Sequence, residues 1–241
     1  MSGTVRIGTS GWHYGHWKGP FYPETSAARE FLAFYAREFD TVEINNTFYQ
    51  LPAAATLRNW RETVPDGFVF AVKAGRAITH FKKLKDAGES VARFMDRAGV
   101  LGDRLGPVVF QLPPRWHADP DRLRAFLDVL PEEGVYAFEF RDPTWFTEEI
   151  YQALSGRGAA FCIYDLAGRE SPRVVTAGTV YVRLHGPGGA YEGQYGDAAL
   201  ADWSRAIGMW RDEGRDVYCY FDNDEAGYAP QDARRLKSLM A

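Results

Sequence analysis

The sequence predicts an α/β fold: a single (βα)8 barrel of TIM type, with parallel strands and outer helices, spanning residues 1–241. Three observations point there. Short β-branched or aromatic runs alternate with segments of helical period along the whole chain, the pattern of a parallel sheet covered by helices. Eight such units in 241 residues sit near the lower end of a fold that takes ~250 residues. The first turn, Thr9-Ser10-Gly11-Trp12, is not the GxGxxG of an open doubly wound sheet, the main alternative.

The elements follow in order. Residues 5–9 form the first strand, and a loop over 10–23 leads to a helix over about 26–39, with Thr25 or Ser26 as N-cap. Strand two, 41–45, precedes a helix near 54–63. Strand three is 68–73, and its helix shows Leu84, Gly88, Val91, Met95, Ala98 and Leu101 at helical spacing. Strand four, 108–112, is stopped by Pro113 and Pro114, and its helix carries Leu123, Phe126, Leu127 and Leu130. Strand five, 135–140, is followed by a helix over about 147–155; strand six, 159–164, is followed by an irregular segment, 166–178. Strand seven, 180–184, leads to a helix with Leu200, Trp203, Ile207 and Trp210; strand eight, 217–221, leads to a last helix near 229–239.

Composition narrows the function classes. With 46% hydrophobic and 25% charged residues the chain is globular rather than disordered. A formal net charge of -4 gives no global grip on nucleic acid, which is therefore not a favoured partner. No apolar run approaches the ~18 residues of a membrane span, and no signal-peptide core opens the chain, so the expected location is cytoplasmic. Cys162 and Cys219 lie in apolar stretches and read as buried thiols.

In such barrels chemistry sits at the C-terminal ends of the strands. Those ends carry Glu43, Asn45 and Asn46, then Lys73, Gln111, Glu139 with Arg141, Asp165, Arg183 with His185, and Asp222 with Asn223. Alternation puts Glu43 with Asn45, Glu139 with Arg141, and Arg183 with His185 on common faces. Glu43, Lys73, Glu139, Arg141, His185 and Asp222 are the candidate catalytic groups. A purely structural alternative is an ion-pair network closing the barrel top, with Arg141 on Glu139 or Arg183 on Glu43. Substrate contacts are expected from Trp12, Asn45, Asn46, His80, Gln111, Arg183, Tyr191, Tyr195 and Asn223. Trp12 belongs to an aromatic first loop in which Trp17, Phe21 and Tyr22 read as a plug over the first helix. Tyr191 and Tyr195 belong to a loop with five glycines in residues 186–196, read equally as an anion subsite or a lid.

The blocks Gly8-Thr9-Ser10-Gly11-Trp12, Val42-Glu43-Ile44-Asn45-Asn46-Thr47-Phe48-Tyr49, Phe70-Ala71-Val72-Lys73, Ile78-Thr79-His80, Gln111-Leu112-Pro113-Pro114, Glu139-Phe140-Arg141 with Trp145, Tyr181-Val182-Arg183-Leu184-His185-Gly186 and Tyr220-Phe221-Asp222-Asn223 resemble, in that order, the YecE-like family, domain of unknown function seventy-two. The resemblance covers almost the entire chain and implies a TIM-type barrel without a settled activity. The chain departs from it in two places: Asp142 stands where the family tends to have a histidine, and near Asp222-Asn223-Asp224 the family tends to have paired asparagines followed by a histidine or similar polar residue.

The reading these residues favour is a metal-independent enzyme (a hydrolase, lyase or isomerase) acting on a small polar substrate such as a sugar or sugar phosphate. In it, one of Glu43 and Glu139 is raised in pKa and serves as acid. No cofactor is expected. One alternative is a metal-assisted phosphoesterase or nuclease-like activity, with a divalent metal on Glu43, Glu139, Asp222, His80 and His185. The other is a non-catalytic ligand-binding barrel.

Overall fold

The computed structural model describes residues 2–240. Eight parallel strands form the barrel: β1 (Val5–Thr9), β2 (Thr41–Ile44), β3 (Val69–Lys73), β4 (Leu105–Gln111), β5 (Tyr136–Glu139), β6 (Ala160–Leu166), β8 (Thr179–Leu184) and β9 (Asp216–Phe221), with a two-residue β7 (Arg169–Glu170) turning back antiparallel on β6. Helices α1 (Phe31–Glu38), α2 (Ala54–Thr63), α3 (Gly88–Ala98), α4 (Pro120–Leu127), α5 (Glu148–Arg157), α6 (Asp197–Asp212) and α7 (Tyr228–Met240) cover its outside. The predicted strands all form, and the segment after β6 is irregular apart from β7. No helix among the described residues is long and apolar enough to cross a membrane.

The first helix begins later than its sequence suggests. Ser26 N–H bonds Pro23 O at 3.0 Å in a turn, and a short 3-10 turn (Ala28–Glu30) precedes α1. There the Glu30 carboxylate accepts from Ala27 N–H at 2.8 Å, doing the capping expected of Thr25 or Ser26. The aromatic plug forms as expected: Tyr22 stacks on Phe31 at 4.1 Å, and Phe21 packs against Phe34 and Phe39.

The sheet runs β1-β9-β8-β6-β5-β4-β3-β2 and closes between β1 and β2 through one parallel bridge, Ser10 to Glu43, with Gly11 N–H donating to Glu43 O at 2.8 Å. Below that bridge a side chain replaces the ladder. Tyr35 Oη, reaching in from α1, accepts from Thr9 N–H at 2.9 Å and donates to Thr41 O at 3.0 Å. Gly8 makes room for this seam, since a Cβ there would lie 2.3 Å from Thr41 O and 2.9 Å from the Tyr35 hydroxyl. Tyr35→Phe keeps the ring but leaves a buried N–H and C=O unpaired. We expect a loss of about 1–3 kcal/mol, a fall in Tm of roughly 2–12 °C by calorimetry. An unchanged Tm would mean that the seam does not depend on the hydroxyl.

Most apolar side chains lie between sheet and helices in one continuous core. Inside the barrel is a second, smaller cluster: Ala71, Val109, Ala137, Ala160 and Cys162 on one wall, Tyr181 and Tyr220 on the other. Small residues opposite tyrosines fill the tapering interior. Period-two alternation then lifts the next inward residues, Glu43, Lys73, Gln111, Glu139 and Arg183, to the layer above. Both cysteines are free and buried.

Candidate active site

Arg183 is the centre of that layer. Fully buried, it donates from Nη2 to Glu43 Oε1 at 2.6 Å and from Nη1 to Glu139 Oε2 at 2.7 Å, with Asp222 Oδ2 3.3 Å from Nη2. Glu43 also accepts from Ser10 Oγ at 2.8 Å and from the Tyr181 hydroxyl, rising from the layer below, at 2.6 Å. The other oxygen of Glu139 takes the Arg141 Nε–H. Both ion pairs anticipated for a structural network are therefore present. They form a closed floor in which each buried charge has an opposite partner, the condition for keeping such charges away from water.

Burial pushes the Glu139 pKa up, but Arg141 and Arg183 outweigh it and hold the group well below the usual carboxylate range. The expected division of labour, with one carboxyl raised to act as acid, therefore does not apply to Glu139. Two guanidiniums against one buried carboxylate decide this, and strand-end composition does not reveal how they pair.

Next to the floor lie Asp222 and the fully buried His185. His185 Nδ1 lies 3.0 Å from Asp222 Oδ2, and its Nε2 lies 3.0 Å from Arg141 Nη2. Glu139 Oε1 lies 3.6 Å from the same Nε2; arginine can only donate, so in the neutral ring the proton sits on Nδ1, toward Asp222, and the lone pair on Nε2. Burial raises the Asp222 pKa, but the His185 hydrogen bond and Arg183 more than reverse this and keep it below its ordinary value. Tyr191 turns its ring edge to His185 with 5.5 Å between centroids, and Tyr164 lies under the Arg141 guanidinium at 5.1 Å.

Lys73 differs from the other cations. Its Nζ sits over the Phe48 ring at 4.6 Å and forms no ion pair or hydrogen bond among the described residues. Burial, and then the Arg183 charge, lower its pKa. His80 meets the same Phe48 ring edge-on at 4.9 Å, and burial and Lys73 lower its pKa too. Gln111 is buried at the end of β4, donating from Nε2 to Leu112 O at 2.6 Å.

Other sequence-selected residues lie elsewhere. Trp12, Asn45 and Asn46 line a cavity beside β1 and β2. Asn223 is buried and donates to Gly193 O at 2.9 Å and Asp232 Oδ2 at 2.8 Å, tying the end of β9 to α7 and the glycine-rich loop. Tyr195 is buried beneath that loop, its hydroxyl accepting from Gly186 N–H at 3.0 Å. The loop amides at Gly186, Gly188, Tyr191, Glu192 and Gly193 all have acceptors, so these residues do not form an open anion cradle. At Gly186 φ is +110° and a Cβ would lie 2.3 Å from Glu192 O, so glycine lets the loop fold back over His185. Among the described residues no group of three or more His, Cys, Asp and Glu side chains is arranged to hold a metal ion. The carboxylates proposed as ligands are turned onto Arg183 instead.

Sequence reasoning missed Ser10, Tyr14, Tyr164, Tyr181 and Trp60. Tyr181 was accessible in principle, since it shares the alternation of Arg183 and His185. Trp60 sits mid-helix and gave no signal.

At the two places that depart from the family pattern, Asp142 and Asp224 are both held by hydrogen bonds to neighbouring segments. Asp142 accepts from Thr144 N–H at 3.1 Å and Thr144 Oγ1 at 2.7 Å, capping a short turn. Asp224 accepts from Trp17 Nε1 and approaches His16, and burial raises its pKa to about 6. Because this carboxyl holds its proton more tightly folded than unfolded, its contribution to stability is complete below about pH 4 and is lost as pH rises through 6. Asp224→Asn should remove that falling slope from urea-unfolding free energies measured between about pH 4 and 6. A slope equal to wild type would assign it to other groups.

Comparison with known proteins agrees with this architecture. UPF0759 protein YunF of Bacillus subtilis is 25% identical over 98% of this chain and 94% of its own length. UPF0759 protein YecE of Escherichia coli K12 is 36% identical over 53% of this chain and 47% of its own. The crystal structure of a DUF72 family protein from Thermotoga maritima superposes with a TM-score of 0.89 at 27% identity, covering 98% of this chain and 99% of that one. Residues 6–241 match the family described as "Protein of unknown function DUF72", and the chain belongs to that family.

Proposed function

We propose that this barrel is an enzyme that moves protons on a small polar substrate, such as a sugar or sugar phosphate, without needing a metal. The observation that carries this is Lys73: a lysine at the mouth, unpaired, with its pKa lowered by burial and by Arg183. A structural lysine is normally solvated or paired, and a desolvated one is tuned toward the neutral amine that can accept a proton. In this reading Lys73 is the base. The His185–Asp222 pair holds a second proton-transfer site, with Nε2 as acceptor. Arg141, at the rim, orients an anionic or carbonyl oxygen, while Glu43, Glu139 and Arg183 fix the geometry from below.

The test is a thermal-shift screen of sugars and sugar phosphates, followed by product analysis of each hit with wild type and Lys73→Met. Turnover by wild type that falls at least about a hundredfold in Lys73→Met supports the reading. Hits recovered unchanged after long incubation would favour the binding-protein alternative, and turnover intact in Lys73→Met would remove the lysine from the chemistry.

A further inference from the structure

Beside the mouth, between the ends of β1 and β2 and helix α2, lies a cavity of about 440 Å³ lined by Trp12, Tyr14, Ile44, Asn45, Asn46 and Trp60. That is within the ~300–1,000 Å³ of small-molecule sites. Trp12 and Trp60 meet edge-to-face at 4.9 Å, with Phe70 behind Trp12 at 6.2 Å, so the walls are rigid and aromatic. Of the residues that line it, Asn45 has a polar atom without a partner among the described residues: its Oδ1 is buried and unbonded, and its side chain makes no capping contact with the 3-10 turn that follows it.

A buried acceptor without a donor is costly and rare, which makes it a pointer to a ligand that supplies one. Beside Oδ1 the same amide offers an NH2, so a turn of the Asn45 side chain presents an adjacent acceptor and donor to the cavity. Such an edge matches an aminopurine edge, which offers an amino donor next to a ring-nitrogen acceptor. Trp12, Trp60 and Ile44 make the walls mostly apolar, which favours a flat ring, with His13, Tyr14, Asn45 and Asn46 as the polar groups. The cavity is also placed to share a substrate with the mouth, because β2 pairs β3 with Ile44 beside Val72, setting Asn45 next to Lys73.

We propose that this cavity is a subsite for a planar nitrogen heterocycle of the aminopurine type, read by Asn45 and enclosed by Trp12 and Trp60. The rest of the ligand, a sugar or sugar phosphate, then extends toward Lys73. Only this second half rests on the acid/base reading above.

Isothermal titration of the full chain with adenosine, and with purine riboside, which lacks the exocyclic amine, tests it. Adenosine should bind saturably and about tenfold or more tightly than purine riboside. Asn45→Leu should erase the difference, and Trp60→Leu should weaken both ligands; Asn45→Ala serves if Leu is not accommodated, with circular dichroism confirming the fold. No saturable binding of adenosine at millimolar concentration, equal affinity for the two nucleosides, or indifference to the Asn45 variants would overturn the proposal. Turnover of a sugar phosphate without adenosine binding overturns the ring site and leaves the acid/base reading standing. Adenosine binding whose preference over purine riboside Asn45→Leu erases, with no turnover of any substrate, supports the ring site and removes the acid/base reading.

Discussion

Arg183→Met should be the most damaging single substitution in the molecule, lowering stability by about 3–5 kcal/mol and Tm by roughly 6–20 °C. Met approximates the buried stem but leaves Glu43 without its only cation among the described residues, while Glu139 keeps Arg141. The damage is then mostly that of an uncompensated buried carboxylate rather than of lost packing. Two consequences separate these causes. Adding Glu43→Gln should recover a substantial part of the loss, because a neutral amide can still use Ser10 and Tyr181. The deficit should also shrink on acidification. In wild type, Glu139 has a depressed pKa, so its stabilisation is present above the ordinary carboxylate value and lost only as pH falls through the depressed one. In Arg183→Met the uncompensated charge is the Glu43 carboxylate, and acid that neutralises it should recover part of the loss. Chemical unfolding of the single and double variants at several pH values measures both effects. A loss that neither Glu43→Gln nor acid relieves would mean that Arg183 acts through packing alone.

Lys73→Met is expected to separate function from stability. Removing an amine whose pKa is lowered by burial and Arg183 removes a group that opposes folding when protonated, so the variant should unfold at a higher temperature than wild type near neutral pH. The folded pKa is below the unfolded value of ~10.4, so the gain should be complete below the folded value and vanish above the unfolded one. Activity on any substrate found by the screen should instead fall by about 10²–10⁴-fold. The wild-type rate should rise with pH through an apparent pKa below that of an ordinary lysine. A variant that is less stable and fully active would make Lys73 a packing residue.

The fold was legible because alternating β and α segments admit few topologies, and eight of them at this length admit a barrel. Where the start of α1 escaped sequence reading, a glutamate side chain had taken over the cap, and any of several polar residues in that stretch could have served. The residues at the mouth were legible for a similar reason: strand ends bring Lys73, Arg141, His185 and Asp222 to one rim whatever the packing, since strand direction and period-two alternation are local. Their roles were not. Glu139 looks the same on paper whether it is an acid or the counter-ion of two arginines, and Tyr195 and Asn223 look as free as Tyr191 until the loop folds over them.

By itself, then, the sequence determined that this chain forms a parallel barrel and that Lys73, Arg141, His185 and Asp222 come to one charged rim. The tertiary structure alone decided that Arg183 pairs with Glu43 and Glu139, that Lys73 forms no ion pair among the described residues, and that Trp60 joins Trp12 beside Asn45. The physical reason is one of range. Secondary structure and facing follow from neighbours a few residues apart, whereas charge pairing, burial and cavity shape depend on contacts between residues such as Glu43 and Arg183 that lie 140 positions apart in the chain.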